Sequence, residues 1–181
     1  MAMQAAGPVI GAAGPADMVV DPALADPATR RRLSGPALRT FLGLADRWQL
    51  GEAQRLRILG QPGRSTYYAW LDKARRREAV TLPLDTLLRL SALFGIQKGL
   101  GILFARGGDA LAWLSAPNAG PVFGGQRPLD LVISGTQDGL MLVRRHLDAW
   151  RGGNFSAPSP NAGPPLRDDD IVIVDDRRPT A

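Results

Sequence analysis

The sequence predicts an all-α protein with two small helical modules between extended ends, and three observations predict it. Apolar residues between about 29 and 151 recur at spacings of three and four, the period of a helix with one buried face. No stretch alternates apolar and polar residues over the length of a strand, and no unit repeats. The two ends, by contrast, are rich in Gly, Pro and Ala or Asp and show no period.

Residues 1–27 read as a flexible leader. The first helix is expected over about Ser34–Leu50, where Leu38, Phe41, Leu42 and Ala45 share a face; Ser34 supplies an N-cap and Pro36 sits in the first turn. Gly51 ends it. A shorter helix over Glu52–Leu59 would bury Ala53, Leu56 and Leu59, and Gly60-Gln61-Pro62-Gly63 makes a tight turn. A third helix starts from Ser65 as N-cap and runs to about Arg77, with Tyr67, Trp70 and Leu71 on its core side. After Leu82-Pro83, Leu84, Leu87, Leu88, Leu90, Leu93 and Phe94 mark a fourth, buried helix that Gly95 closes. Short helices are expected at Gln97–Phe104 and, from an Asp cap, at Asp109–Leu114. Residues 115–128 form a Pro/Gly loop, and Pro128–Val132 is one more short helix. The last helix, Asp138–Arg151, puts Leu140, Val143, Leu147 and Trp150 on one stripe before Gly152-Gly153 stops it. Residues 154–181 hold five Pro and five Asp around one apolar run, Ile171 to Val174, and read as an extended acidic tail. The expected division is therefore a leader (1–27), a first helical domain (28–96), a second (97–153) and a tail (154–181).

Composition removes several kinds of chemistry. The 181 residues include no Cys and one His, His146. There is thus no disulfide, thiolate metal site or Cys nucleophile, and a single imidazole suits neither a zinc site nor a His-based dyad. A protein that is not an enzyme and holds no metal or cofactor is expected. The N-terminal residues lack a basic segment followed by an apolar run, and the longest apolar stretch, Leu93 to Ala105, is interrupted by Gln97 and Lys98. A cytoplasmic protein without membrane contact is expected.

Charge is distributed unevenly. The formal net charge is +5, from 22 Lys and Arg against 17 Asp and Glu. Residues 30–77 alone carry twelve bases and three acids, a net of +9, while residues 1–29 carry −3, residues 78–153 carry +1 and residues 154–181 carry −2. Such a block attracts a polyanion such as DNA; the alternative is a solvated Arg-rich surface. Within the block, a short helix, a Gly-containing turn and a second helix opening on small polar and aromatic residues have the layout of a helix-turn-helix. Its second helix would present Arg64, Ser65, Thr66 and Tyr68 to base edges, and Arg75 and Arg76, with Arg77, to phosphates. The alternative is a helix pair with a basic surface, or a true motif kept only for dimerisation.

The most specific text lies downstream: Trp113-Leu114, Pro117-Asn118, Phe123-Gly124-Gly125, Pro128-Leu129, Asp138-Gly139 and Gly152-Gly153. In order and spacing this resembles the toxin-binding domain of the antitoxin family named after Xre, MbcA and ParS, over about residues 97–153, and a helix-turn-helix domain in front of it is also that family's arrangement. The resemblance implies a DNA-binding antitoxin of a type II toxin–antitoxin system. Its partner would be a RES-domain toxin, similar to ADP-ribosyltransferases and NAD-consuming, whose active-site cleft the antitoxin's C-terminal part obstructs. The resemblance also implies repression of its own operon. The candidate toxin-binding residues are Trp113, Asn118, Phe123, Gly124, Gly125, Pro128 and His146, with Asp168, Asp169 and Asp170 of the tail as acidic ligands for a pyrophosphate-binding cleft. Each also has a plain structural use: Gly124, Gly125 and Pro128 shape a loop entering a short helix, Trp113 and Phe123 fill a core, and Asn118 braces the loop. His146, beside the apolar stripe, is read as a surface or partner-contact residue.

The expected partners are thus a cognate RES-domain toxin and operator DNA, with the chain as a homodimer. The reading from another class is a stand-alone helix-turn-helix regulator whose C-terminal domain oligomerises or senses an effector.

Overall fold

The computed structural model describes residues 26–152. Among them are seven helices and no strand: α1 Pro27–Arg47, α2 Glu52–Ile58, α3 Arg64–Arg75, α4 Leu84–Leu103, α5 Gly107–Ser115, α6 Pro128–Val132 and α7 Gln137–Arg151. The leader, the tail and its residues Asp168, Asp169 and Asp170 lie outside the described residues, except for the last two residues of the expected leader, Asp26 and Pro27, which start α1.

α1 begins earlier than expected. Asp26 is its N-cap, accepting from the Thr29 amide at 2.7 Å, and Pro27 takes the first helical position, where its missing N–H costs nothing. Ser34 is no cap, and Pro36 lies inside the helix instead of in its first turn. The Ser34 hydroxyl is buried; it donates to the Arg30 carbonyl at 2.6 Å and accepts the Leu82 amide at 2.9 Å, tying α1 to the strap between α3 and α4. α2 buries Ile58, with Leu59 just past its end, whereas Ala53 is exposed, contrary to expectation.

The largest departure is α4. Gly95 does not end a helix, and the two helices expected on either side of it are one, running over 20 residues. Glycine costs a helix about 1 kcal/mol but does not terminate it when another helix needs the space. Here α7 does: Arg144 lies over Gly95, and a Cβ on Gly99 would stand 3.1 Å from that of Leu147. The position expected to divide the two domains, between residues 96 and 97, therefore falls inside α4, which both helical units use. Unbroken, α4 is also long and apolar enough by composition to cross a membrane; in this fold it is the central helix, packed against α1, α5 and α7.

The core is one contiguous cluster. Leu38, Phe41 and Leu44 of α1, Leu90, Leu93, Ile96 and Leu100 of α4, and Leu140, Val143 and Leu147 of α7 are all essentially without solvent contact. Each such side chain stabilises the fold by about 1.5–3 kcal/mol relative to exposure. α3 rests on α1, α5 and α6 close the other side, and Arg39 reaches from α1 to the Ala74 carbonyl at 3.3 Å, satisfying an acceptor at the end of α3. α5 starts from Arg106 without a side-chain cap, so Asp109 belongs to its first turn and is not its N-cap; α7 starts at Gln137, one residue before the expected Asp138, and Thr136 caps it by accepting the Gly139 amide at 3.1 Å.

Candidate functional site

The basic block folds as α2, a turn and α3. The Gln61 amide closes the turn on the Leu56 carbonyl at 2.8 Å, and Gly63, not Ser65, takes the N-cap position of α3. A glycine cap has no side chain, so the first amides of α3 keep their capacity to meet an anion. At 100° per residue, buried Tyr67, Leu71 and Ala74 define the inner face of α3. The opposite face carries Ser65, Ala69, Lys73 and Arg76, all exposed. Thr66 is exposed beside them, and Arg64, Tyr68 and Arg75 form a flanking stripe turned toward the start of α2. Lys73 and Ala69 were missed in the sequence; counting outward from Tyr67 and Leu71 finds them.

Glu52, the first residue of α2, takes the first two members of that stripe. The Tyr68 hydroxyl donates to its Oε2 at 2.6 Å, and Arg64 Nε stands 3.2 Å from its Oε1. The bond to Glu52 raises the Tyr68 phenol above its usual range, keeping its proton in place. Burial does the same for Tyr67, whose ring meets that of Tyr68 at 5.4 Å. Some of the positive charge serves the fold instead. Arg55 locks the α1–α2 corner, donating to the Leu50 carbonyl at 2.8 Å and to Asp46 at 2.7 Å, and Arg76 pairs with Asp72 at 3.1 Å.

The second candidate region is organised around the loop between α5 and α6. Asn118 accepts the Gly120 amide on its side-chain oxygen at 2.9 Å, donates its own amide to the Gln126 carbonyl at 3.1 Å and accepts the Gly125 amide at 2.9 Å. Gly124 and Gly125 sit at φ of 55° and 85°, the left-handed region that lets the loop reverse. Pro128 is buried at the first position of α6, where Arg127 and Asp130 form a two-pronged pair at 2.8 and 2.7 Å that holds the Asp130 carboxyl below its usual range.

Phe123, buried, fixes the loop to an aromatic cluster. His146 stacks on Trp113 at 5.9 Å and 15°, and meets Phe123 edge-on at 4.7 Å. His146 is therefore half-buried in this cluster instead of on the surface, and burial lowers its pKa. Phe104 and Trp150 complete the cluster, the latter 5.8 Å from Phe104 and 39% exposed, so the end of the expected core stripe faces solvent. Trp113, Asn118, Phe123, Gly124, Gly125, Pro128 and His146 thus form one supported unit. Exposed Ile102 and Trp150, absent from the expected set, carry its outward apolar surface. A cavity of about 470 Å³ opens where the two units meet, with Trp48, Leu100, Phe104 and Leu111 inside and Arg47 and Gln97 among its walls.

Comparison with known proteins supplies the family. Residues 27–96 match the antitoxin Xre-like helix-turn-helix domain, and residues 100–153 match the antitoxin Xre/MbcA/ParS C-terminal toxin-binding domain. The chain belongs to the Xre/MbcA/ParS antitoxin family. The antitoxin is also similar to the uncharacterized protein y4oB of Sinorhizobium fredii, 40% identical over 116 residues, covering 64% of this chain and 84% of that protein. No solved structure matches the antitoxin. Residues 27–96, which contain α2, the turn and α3, are thus the antitoxin's helix-turn-helix domain, and residues 100–153, the end of α4 with α5, α6 and α7, are its toxin-binding domain.

Proposed function

We propose that this antitoxin neutralises a RES-domain, NAD-consuming toxin by occluding its active-site cleft, and that it represses its own operon through α3, as a homodimer or within the toxin complex. It acts in the cytoplasm and catalyses no reaction of its own. The observation that carries the DNA-binding half is the outer face of α3, whose Ser65, Thr66, Lys73 and Arg76 have no part in the core. Arg64 and Tyr68 contribute base contacts and Arg75 phosphate contacts. The RES-type partner rests on the family resemblance, supported by the solvent-facing Trp150 beside the Trp113–His146–Phe123 cluster, an aromatic anchor of the kind that dominates protein interfaces.

On this account Asp168, Asp169 and Asp170 enter the toxin's pyrophosphate-binding cleft and accept charge-assisted hydrogen bonds from its basic residues. Co-expression tests the proposal. The antitoxin restores growth to cells making a RES-domain protein encoded beside it and co-purifies with it; a chain ending at Gly153 restores growth less well. Full rescue by the shortened chain would remove the tail from the mechanism. The second reading, a stand-alone regulator sensing an effector, has the junction cavity in its favour.

A further inference from the structure

Three acids stand among the twelve bases of residues 30–77. Two of them serve their own neighbourhood: Asp46 anchors Arg55 at the α1–α2 corner, and Asp72 pairs with Arg76 one turn along the same helix. Glu52 does neither. It stands on α2, and both of its partners stand on α3, twelve and sixteen residues away, at the entrance of the helix that meets DNA. A carboxylate at that place repels phosphate and weakens binding to any duplex.

The geometry shows what is gained. Arg64 pairs with Glu52 through Nε, a contact that leaves the fork of its two terminal nitrogens to other partners, and its side chain is 80% exposed. Two parallel N–H donors at that spacing match O6 and N7 of guanine in the major groove. The Tyr68 hydroxyl spends its one donor on Glu52, so its exposed oxygen is left to accept, complementary to the amino group of cytosine or adenine. One carboxylate thus orients the donor fork of Arg64 and fixes Tyr68 as an acceptor, one through each of its oxygens.

We infer that Glu52 is a specificity-determining positioning residue: it holds Arg64 and Tyr68 for reading a guanine and an adjacent amino-bearing base, and it discourages their use on backbone phosphate. The inference rests on the DNA-binding role of α3. It makes Glu52 an element of discrimination by repulsion, lowering affinity for wrong sequences more than for the right one.

The test uses the full chain and the variants Glu52→Gln, Arg64→Lys and both together. Each is selected against a randomised duplex library, and its affinity is measured for the wild-type consensus and for a scrambled duplex. Glu52→Gln keeps the size of the side chain at a partly exposed helix start and removes the charge. It is expected to weaken the guanine preference and to bind the scrambled duplex more tightly, so that the specificity ratio falls about tenfold. Arg64→Lys, which keeps charge and loses the fork, loses the same guanine; adding Glu52→Gln to it changes the guanine position no further and weakens only the adjacent preference read by Tyr68. An unchanged consensus and ratio in Glu52→Gln would overturn the inference and leave the DNA-binding role intact, as would a guanine preference that survives Arg64→Lys. A wild-type chain that selects no sequence and binds neither duplex overturns that role, and this inference with it.

Discussion

Replacing Gly139 by Ala is expected to destabilise the antitoxin, although helix propensity alone favours the change. Gly139 is in the first turn of α7, where alanine is intrinsically better by about 1 kcal/mol. A Cβ there would collide with the Leu131 carbonyl oxygen, and would lie 2.9 Å from both the Ser134 and Thr136 hydroxyl oxygens. The carbonyl is backbone of α6 and has no rotamer to give. Forcing it aside costs about 1–3 kcal/mol, and disturbing the Thr136 cap costs about 1 kcal/mol more. Set against the propensity gain, the net loss is about 2 kcal/mol, or a fall of about 8 °C in Tm for a folded unit of this size. Gly43 supplies the control. It is exposed in α1 with nothing near its absent Cβ, so Gly43→Ala should gain about 0.5–1 kcal/mol. Urea and thermal unfolding of the two variants and the parent measure both. A Gly139→Ala chain as stable as the parent, or shifted in the same direction as Gly43→Ala, would refute the close α6–α7 approach on which the toxin-binding unit is built.

Other outcomes follow from the same geometry. If Lys73 and Arg76 meet phosphates as proposed, Lys73→Ala with Arg76→Ala should weaken binding to all duplexes alike and lower the salt slope by about 2, read by anisotropy titrations at several ionic strengths. Arg64→Ala with Tyr68→Ala should instead abolish preference for the operator over scrambled DNA. Asn118→Ala removes the acceptor for the Gly120 amide and should cost about 1 kcal/mol in urea unfolding, with a matching loss of toxin affinity if the loop shape matters to binding. His146 has its pKa lowered from 6.5 by burial, so the unfolded chain binds the proton more readily. Its contribution to stability is therefore complete above pH 6.5 and falls as the pH drops below it; His146→Phe should flatten that part of the profile. The loss at still lower pH, as Asp26 and Asp130 take protons at their lowered pKa values, should remain.

Much of this architecture is legible in the sequence where one local signal has one meaning. The start of α6 is readable because Pro128 opens it, and the inner face of α3 is readable from Tyr67 and Leu71. The start of α1 was not, because Ser34-Gly35-Pro36 and Asp26-Pro27 carry the same start chemistry; a tertiary bond from Ser34 to Leu82 makes only the second a cap. Gly95 failed as a stop signal for a similar reason, since its meaning depends on Arg144 packing over it from α7. The candidate site divides along the same line. The loop duties of Asn118, Gly124 and Gly125 follow from residue type. The Glu52 pairings depend on the angle between α2 and α3, and the His146 stack depends on how α5 meets α7, and no spacing encodes either.

The central claim is that this chain neutralises a toxin through α5–α7 and the surface around Trp150. Its most direct test is the affinity of the purified antitoxin for a RES-domain protein proposed as its partner, measured together with NAD consumption as antitoxin is titrated in. The account predicts a tight complex and loss of NAD consumption at the complex's stoichiometric ratio, with Trp150→Ala weakening both by about tenfold or more. NAD consumption that continues at full rate with the antitoxin in excess, or a toxin that binds the Trp150→Ala chain as tightly as the parent, would contradict it.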